Sequence, residues 1–215
     1  MDRPERNLVR PGADDIDWMT DLLTLAFLTE APTTHLFVGP RRERQVRYFM
    51  RCSVAYAVHF GECHASTDRR GVALWLLPGA TAMTPGRMRK AGMFAAPWRM
   101  GPRAFFRFMG FAAHTDRLHR AAVPSPHYYL FALGVHPDAR GEGIGRRLMR
   151  AMFERADRER RPVYLETQED RNVRLYESLG FDVVSAEPFP KLDGLMNYGM
   201  VRRPDASEGS GAAAR

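Results

Sequence analysis

Apolar and polar positions change period several times along the chain, and each change marks an element. Ile16, Met19, Leu22, Leu23, Ala26 and Phe27 recur at three- and four-residue intervals behind Asp14 and Asp15, either of which can cap the start. This spacing predicts a helix to about Thr29, after a short strand at Asn7–Arg10 closed by Pro11-Gly12. Loop signals follow in EAPTTHLFVGP, and a second helix is expected from Arg41 to about Phe60. Glu62–Ser66 and Gly71–Leu77 read as strands joined by TDRR.

The stretch Thr84–Ala122 is rich in Met, Phe and Arg, and Pro97 and Pro102 divide it. Beyond Pro102, Arg103, Arg107, Gly110, His114 and Arg117 form a narrow polar stripe at helical spacing, while Phe105, Phe106, Phe108, Met109 and Phe111 cover most of the rest. Two or three short helices buried in the core are the expectation, because apolar helices of a soluble domain are usually covered. A helix lying on a membrane surface is the sharper alternative. Further on come a strand at Tyr128–Val135, a helix from Gly143 to about Glu159, a strand at Pro162–Thr167 and a helix at Asn172–Leu179 stopped by Gly180. Strands at Phe181–Ala186 and Leu195–Arg202 complete a single α/β domain over residues 1–204. The small, polar stretch 205–215 is expected to be a disordered tail.

Composition adds little to this plan, but charge does. The 215 residues are 45% hydrophobic and 27% charged, an ordinary globular balance. The net charge of +7, carried mostly by arginine, suits an anionic partner: nucleic acid, a membrane surface or a phosphorylated cofactor. Cys52 and Cys63 have neither metal-binding spacing nor a disulfide framework, so no metal is expected. MDRPERNLVRPG lacks the apolar run of a signal peptide, and no stretch approaches the ~18 apolar residues of a spanning helix. A cytoplasmic, reducing setting is the resulting expectation.

The candidate chemistry begins at HPDARGEGIGRRLM, His136–Met149. A strand leads into a loop with Gly141, Gly143 and Gly145, and the loop opens a helix. Free N–H groups and the positive end of the helix dipole make an anion site there, and glycine permits close approach. Arg140, Arg146 and Arg147 add charge that suits phosphate, although a loop that merely turns a corner remains the plainer alternative. A P-loop would need Lys-Ser/Thr after its last glycine. A dinucleotide loop would need G-x-G-x-x-G, whereas these glycines alternate strictly. Glu166 does lie about 20 residues on, where a ribose-binding acid would stand, but six residues from His136 to Gly141 make the turn too long.

LGVHPDARGEGIGRRLM resembles the acyl-CoA pyrophosphate loop of the GCN5-related N-acetyltransferase (GNAT) superfamily, with Arg/Gln-x-x-Gly-x-Gly at Arg140, Gly143 and Gly145. NVRLYESLGF resembles the family's next motif, with Asn172 and Tyr176 one turn apart before Leu179-Gly180-Phe181. YLETQEDRNVRLYESLGF and the upstream APTTH look most like the puromycin N-acetyltransferase group. The likeness is close from about Tyr128 to Pro204 and weak elsewhere. It implies the GNAT fold: a mixed, mostly antiparallel sheet with helices on both faces and a V-shaped splay between the strands of Leu133–Val135 and Val163–Thr167. It further implies direct transfer of an acetyl group from acetyl-CoA to an amine in a ternary complex. Leu133, Gly134 and Val135 would meet the pantetheine arm through their backbone. Arg140, Gly141, Glu142, Gly143, Ile144, Gly145, Arg146, Asn172 and Tyr176 would complete the donor site.

Within that reaction Tyr176 is the expected acid for the leaving thiolate, with simple packing against Leu179 as the alternative. Glu166, at the end of its strand, is the candidate base, direct or through water, with orienting the amine or pairing with an arginine as the alternatives. By alternation Tyr129, Phe131, Leu133 and Val135 share one face, and Tyr129 and Phe131 suggest an aromatic acceptor pocket. Glu30 and the loop residue His35 are further substrate-side candidates, His127 and His136 are peripheral, and segment 84–122 is expected to shape the acceptor side. The expected partner is a small-molecule amine, with neither nucleic acid nor membrane, and the chain a monomer or homodimer. A protein or peptide amine is an alternative acceptor. Two other classes compete: an acyl-CoA-binding module without turnover, which would not need Tyr176, and a nucleic-acid binder, for which the arginines are too scattered.

Overall fold

A computed structural model describes residues 8–123 and 126–204; Asn7 and the expected tail lie outside these residues. The chain runs β1 (Leu8–Val9), α1 (Ile16–Phe27), α2 (Ala31–Leu36), α3 (Arg42–Phe60), β2 (Gly61–Ser66), β3 (Gly71–Leu76), α4 (Pro85–Lys90), α5 (Ala96–Met100) and α6 (Pro102–Ala122). It continues through β4 (Tyr128–Val135), α7 (Ile144–Arg158), β5 (Val163–Thr167), α8 (Asp170–Glu177), β6 (Phe181–Pro188) and β7 (Met196–Arg202). The seven strands form one sheet in the order β1-β2-β3-β4-β5-β7-β6, antiparallel except at β4–β5. This is the expected mixed, mostly antiparallel sheet.

Every residue of β3 (GVALWL) is buried, as befits a central strand covered on both faces. One face packs against α1, α3, α5 and α6 through Leu23, Val46, Val54, Met100 and Phe108. The other packs against α7 through Ile144, Leu148, Met149, Met152 and Phe153, a stripe that repeats every three to five residues. A β-carbon at Gly134 would come within 2.5 Å of Leu23 Cδ2 and 3.2 Å of Ala26 Cβ, so the bare backbone lets α1 lie directly on β4.

Two details of β4 set up the cleft. Parallel pairing with β5 covers only Tyr128–Leu130 against Val163–Leu165. Past Leu130 the strands part, while β4 stays bonded to β3 on its other edge as far as Val135. The expected splay is therefore present. The second detail overturns an expectation. Leu74 pairs with Ala132 and Trp75 with Leu130, so Phe131 is an extra residue on β4. This bulge inverts the alternation. Tyr129 and Phe131 face the α3 side, whereas Leu133 and Val135 pack with the α7 core, on the opposite face of the sheet.

Three further expectations are corrected. EAPTTHLFVGP is not all loop: Ala31–Leu36 is helical, with Pro32 in the first turn, where its missing N–H costs nothing. The distant Glu169 carboxylate accepts the Ala31 N–H at 3.0 Å. In segment 84–122 the last helix is long, at 21 residues, because Pro102 starts α6 after the left-handed Gly101 instead of breaking it. The apolar faces there are only partly covered. Ala104, Phe108 and Leu118 are buried, and so is His114 from the expected polar stripe, its ring 4.7 Å from Phe189. Phe94, Trp98 and Phe106 point outward instead.

Candidate functional site

The parted strands open a cleft of about 730 Å³ that cuts through the sheet. At one end lies the glycine loop, at the other a chamber walled by α3, α4 and α6. Leu133, Gly134, Val135, Arg140, Gly141, Gly143, Ile144, Gly145, Arg146, Asn172 and Tyr176 all line it, so the geometry brings most of the expected donor residues together.

The loop end has the build of an anion cradle. Gly141 and Gly143 have φ of +89° and +75°, a left-handed conformation that other residues adopt only with strain. Gly143 caps α7, whose first N–H groups have no carbonyl four residues back. Arg140 reaches across to Glu30 Oε1 at 3.2 Å and to the Ala26 carbonyl at 3.1 Å. Arg171 clasps both oxygens of the same Glu30 at 2.8 Å. Glu30 thus holds two arginines at the loop. Arg147 braces the loop through the Glu142 carbonyl at 2.9 Å, and Arg146 reaches Ser178, at the C-cap of α8, at 2.7 Å. The Glu142 side chain does not line the cleft: it pairs with Arg70 at 2.7 and 3.0 Å.

In the cleft stands Glu166, one residue past the last position at which β5 pairs with β4. Tyr129 donates to its Oε2 and Tyr164 to its Oε1, both at 3.0 Å. Burial pushes this carboxyl up to about 7, against the pull of Tyr129, Tyr164 and Asn197, and Asp116 pushes it the same way as burial. Asn197 is fully buried and held by Gln168 at 2.6 Å. A carboxylate set near neutrality can both take and release a proton at ordinary pH.

Tyr176 comes from the other face of the sheet, packed with Phe181 and the α7 core. Burial, then the Glu30 carboxylate, hold its phenol well above the usual tyrosine value, so it keeps its proton. Glu166 and Tyr176 therefore meet the cleft from opposite sides of the sheet, through the gap the splay leaves.

The chamber beyond Glu166 is apolar and aromatic, with Phe49, Tyr56, Met88, Phe108, Phe111 and Phe131 among its lining. Asp116, paired with Arg120 at 3.0 Å, brings a second carboxylate to the wall. His119 lines the chamber too, its ring stacked on Tyr164 at 4.4 Å and its Nε2 2.7 Å from His127 Nε2. Burial, with His127 beside it, pushes His119 down to about 4, so it is neutral at physiological pH. His127 is thus buried beside the chamber wall and not peripheral. His35 turns its Nδ1 to the Ala31 carbonyl at 2.7 Å, in the last turn of α2, and is not among the lining residues. His136 caps the short 3-10 turn at Pro137–Ala139.

Tyr164, His119, Asn197 and Arg171 are site residues that were not among the sequence candidates. Tyr164 had a signal, since it stands two residues before Glu166 and so shares its face of β5. The other three are placed by long-range packing. Among the described residues no group of three His, Cys, Asp or Glu side chains stands where a metal ion could be held.

Residues 90–181 match the model of the Acetyltransferase (GNAT) family. A Schizosaccharomyces pombe protein named as an uncharacterized N-acetyltransferase is 27% identical over 118 residues, which is 53% of this chain and 48% of that protein. The chain thus spans about half the length of this curated relative. A Corynebacterium glutamicum structure, described as histone acetyltransferase HPA2 and related acetyltransferase, superposes with a TM-score of 0.65 at 23% identity, covering 93% of this chain and 96% of that one. A mosquito arylalkylamine N-acetyltransferase-like protein superposes at 0.56 and 18% identity, covering 91% and 98%. The parted β4–β5 pair, the glycine loop at the start of α7 and these likenesses agree: the chain has the GNAT acetyltransferase fold, and residues 90–181, which hold the loop and Glu166, carry that family's sequence pattern.

Proposed function

We propose that the chain transfers the acetyl group of acetyl-CoA to the nitrogen of a small primary amine with an apolar, preferably aromatic, body. The observation that carries this reading is the position of Glu166. It is a carboxyl poised near pH 7 between an anion cradle and an aromatic chamber. The pyrophosphate of the donor fits the N–H groups and arginines at the start of α7. The pantetheine arm fits the edge of β4 that β5 leaves unpaired. In the reaction, Glu166 accepts a proton from the amine, directly or through water, and the neutral nitrogen attacks the thioester carbonyl. The C–N bond forms, the C–S bond breaks, and the departing thiolate takes its proton from Tyr176, which regains one from the acetylated nitrogen, directly or through water, as that nitrogen sheds its second proton. The products are the amide and free CoA thiol. A chamber that adds the Asp116 and Glu166 carboxylates to aromatic walls suits a cation on an apolar body. The likeness of APTTH and YLETQEDRNVRLYESLGF to the puromycin N-acetyltransferase group points the same way, as does the name of the mosquito arylalkylamine N-acetyltransferase-like neighbour.

Release of CoA thiol across an amine panel tests the reading. Arylalkylamines and aromatic aminonucleosides are expected to outrun polyamines and amino acids. Acetyl-CoA binding with no thiol release from any amine would favour a binding module instead. The donor end has its own test. Saturating acetyl-CoA should raise Tm by about 5–10 °C, as expected for a ligand at about a hundred times its Kd. Gly143→Asp is expected to abolish that shift, because a carboxylate would sit against phosphate. Gly143→Asn, which tolerates the left-handed backbone without charge, should retain most of it. Equal behaviour of the two variants would assign the loss to backbone strain and not to a phosphate site.

A further inference from the structure

Between Asp68 and Asp116 the sequence contains no acidic residue but eight cations. Six of these, Arg87, Arg89, Lys90, Arg99, Arg103 and Arg107, fall on α4, α5 and the first turns of α6. None of the six forms an ion pair with a carboxylate among the described residues. Arg89, Lys90, Arg99 and Arg103 are exposed.

The same short segment carries three large rings in water. Phe94 is 72% exposed, Trp98 76% and Phe106 72%, and the rings of Phe94 and Trp98 lie 6.4 Å apart. They cannot swing inward, because Ala96, Met100, Ala104 and Phe108 already fill the core side of the same turns. None of the three lines the cleft, so the substrate does not explain them. Exposed rings of this size, interleaved with unpaired cations, need a partner that offers both an apolar layer and negative charge.

We propose that this face docks the chain on an anionic lipid surface, with Phe94, Trp98 and Phe106 entering the acyl boundary and the surrounding arginines meeting lipid phosphates. Among the described residues no helix is long and apolar enough to cross a membrane, so the contact is with the surface. Two other occupants fit less well. A second copy meeting the same patch about a two-fold axis would set cations against cations. A single-stranded nucleic acid would want the rings along the wall of a basic groove, whereas these stand on the outward turns of helices and line no cleft. The face borders the chamber, since Met83 and Met109 are exposed residues that also line it. A lipid contact departs from the expectation of no membrane partner, and it does not depend on the acetyl-transfer reading.

The test is sedimentation of the full chain with phosphatidylcholine vesicles, with or without phosphatidylserine. Pelleting is expected only with phosphatidylserine, and it should weaken as salt rises. Phe94→Ser/Trp98→Ser/Phe106→Ser should lower the partition coefficient at least about tenfold, and Arg99→Glu/Arg103→Glu about as much. The ligand-free Tm and the cooperativity of unfolding of both variants should stay close to wild type, showing that they are folded. Brominated acyl chains should quench the tryptophan fluorescence of wild type, whereas Trp98→Phe should still dock but lose the quenching. Three results would each overturn the proposal: no pelleting with phosphatidylserine, pelleting that the triple-serine variant retains, or a concentration-dependent dimer that the same variant abolishes. Tighter retention by a single-stranded oligonucleotide than by the vesicles, lost in the triple-serine variant, would assign the face to nucleic acid.

Discussion

Glu166→Gln is expected to lower kcat/KM for the amine by about 10²–10⁴-fold, the usual worth of a positioned base. The acidic limb of the wild-type pH–rate profile should fall near pH 7, where burial sets this carboxyl, and it should vanish in the variant. Glutamine keeps the shape and can still bond Tyr129 and Tyr164, so a lost proton acceptor is the main change. Stability should move the other way. A carboxyl whose pKa is raised by folding holds its proton more tightly folded than unfolded. The cost of burying its charge is absent below the ordinary value of 4.5, grows as pH rises towards 7, and is complete above that. Removing the charge should therefore stabilise the chain by about 1–3 kcal/mol at pH 8, or roughly 2–12 °C in Tm. The gain should disappear near pH 4. Wild-type kcat/KM in Glu166→Gln, with an unmoved acidic limb, would leave the carboxyl without a role as base.

Tyr176→Phe is expected to lower kcat by about 10²-fold, near the low end for general acid catalysis, because CoA thiolate is already a fair leaving group. The ring packs with Phe181 and the α7 core, and its hydroxyl makes no hydrogen bond among the described residues, so Tm should hardly change. The acetyl-CoA thermal shift should persist, since the glycine loop and the β4 edge are untouched. Burial keeps the phenol protonated through the ordinary working range, so wild-type activity should show no basic limb from this group below pH 10. Undiminished kcat in Tyr176→Phe between pH 7 and 9, with both substrates saturating, would return this side chain to a packing role.

The sequence was most readable where the chemistry is local. The α7 stripe, β4 and the glycines before α7 follow from period and from turn residues, and the structure reproduces them within a residue or two. Asn172 and Tyr176 reach the cleft together because four residues are about one helical turn. What escaped depends on distant partners. Helix α2 is capped by Glu169, 138 residues later in the chain. His119 reaches the chamber because α6 continues for 21 residues, and nothing around it in the sequence distinguishes it from a solvated helix residue. The outward turn of Phe106 and Trp98 reverses a burial expectation that composition alone supports.

The extra residue at Phe131 gives one strand two allegiances. Ahead of it, side chains at 129 and 131 belong to the chamber; beyond it, Leu133 and Val135 belong to the α7 core, and Gly134 to α1. The chamber wall can thus drift by exchange of the side chain at 131 while Tyr129 keeps its bond to Glu166 and the glycine-loop half stays fixed, as though the strand were two parts spliced together. The splice is intolerant of counting errors. Losing one residue there would turn Gly134 away from Leu23 and drive Leu133 or Val135 into α1, where even a β-carbon is too large. Diversity at this strand is therefore free in kind and fixed in number.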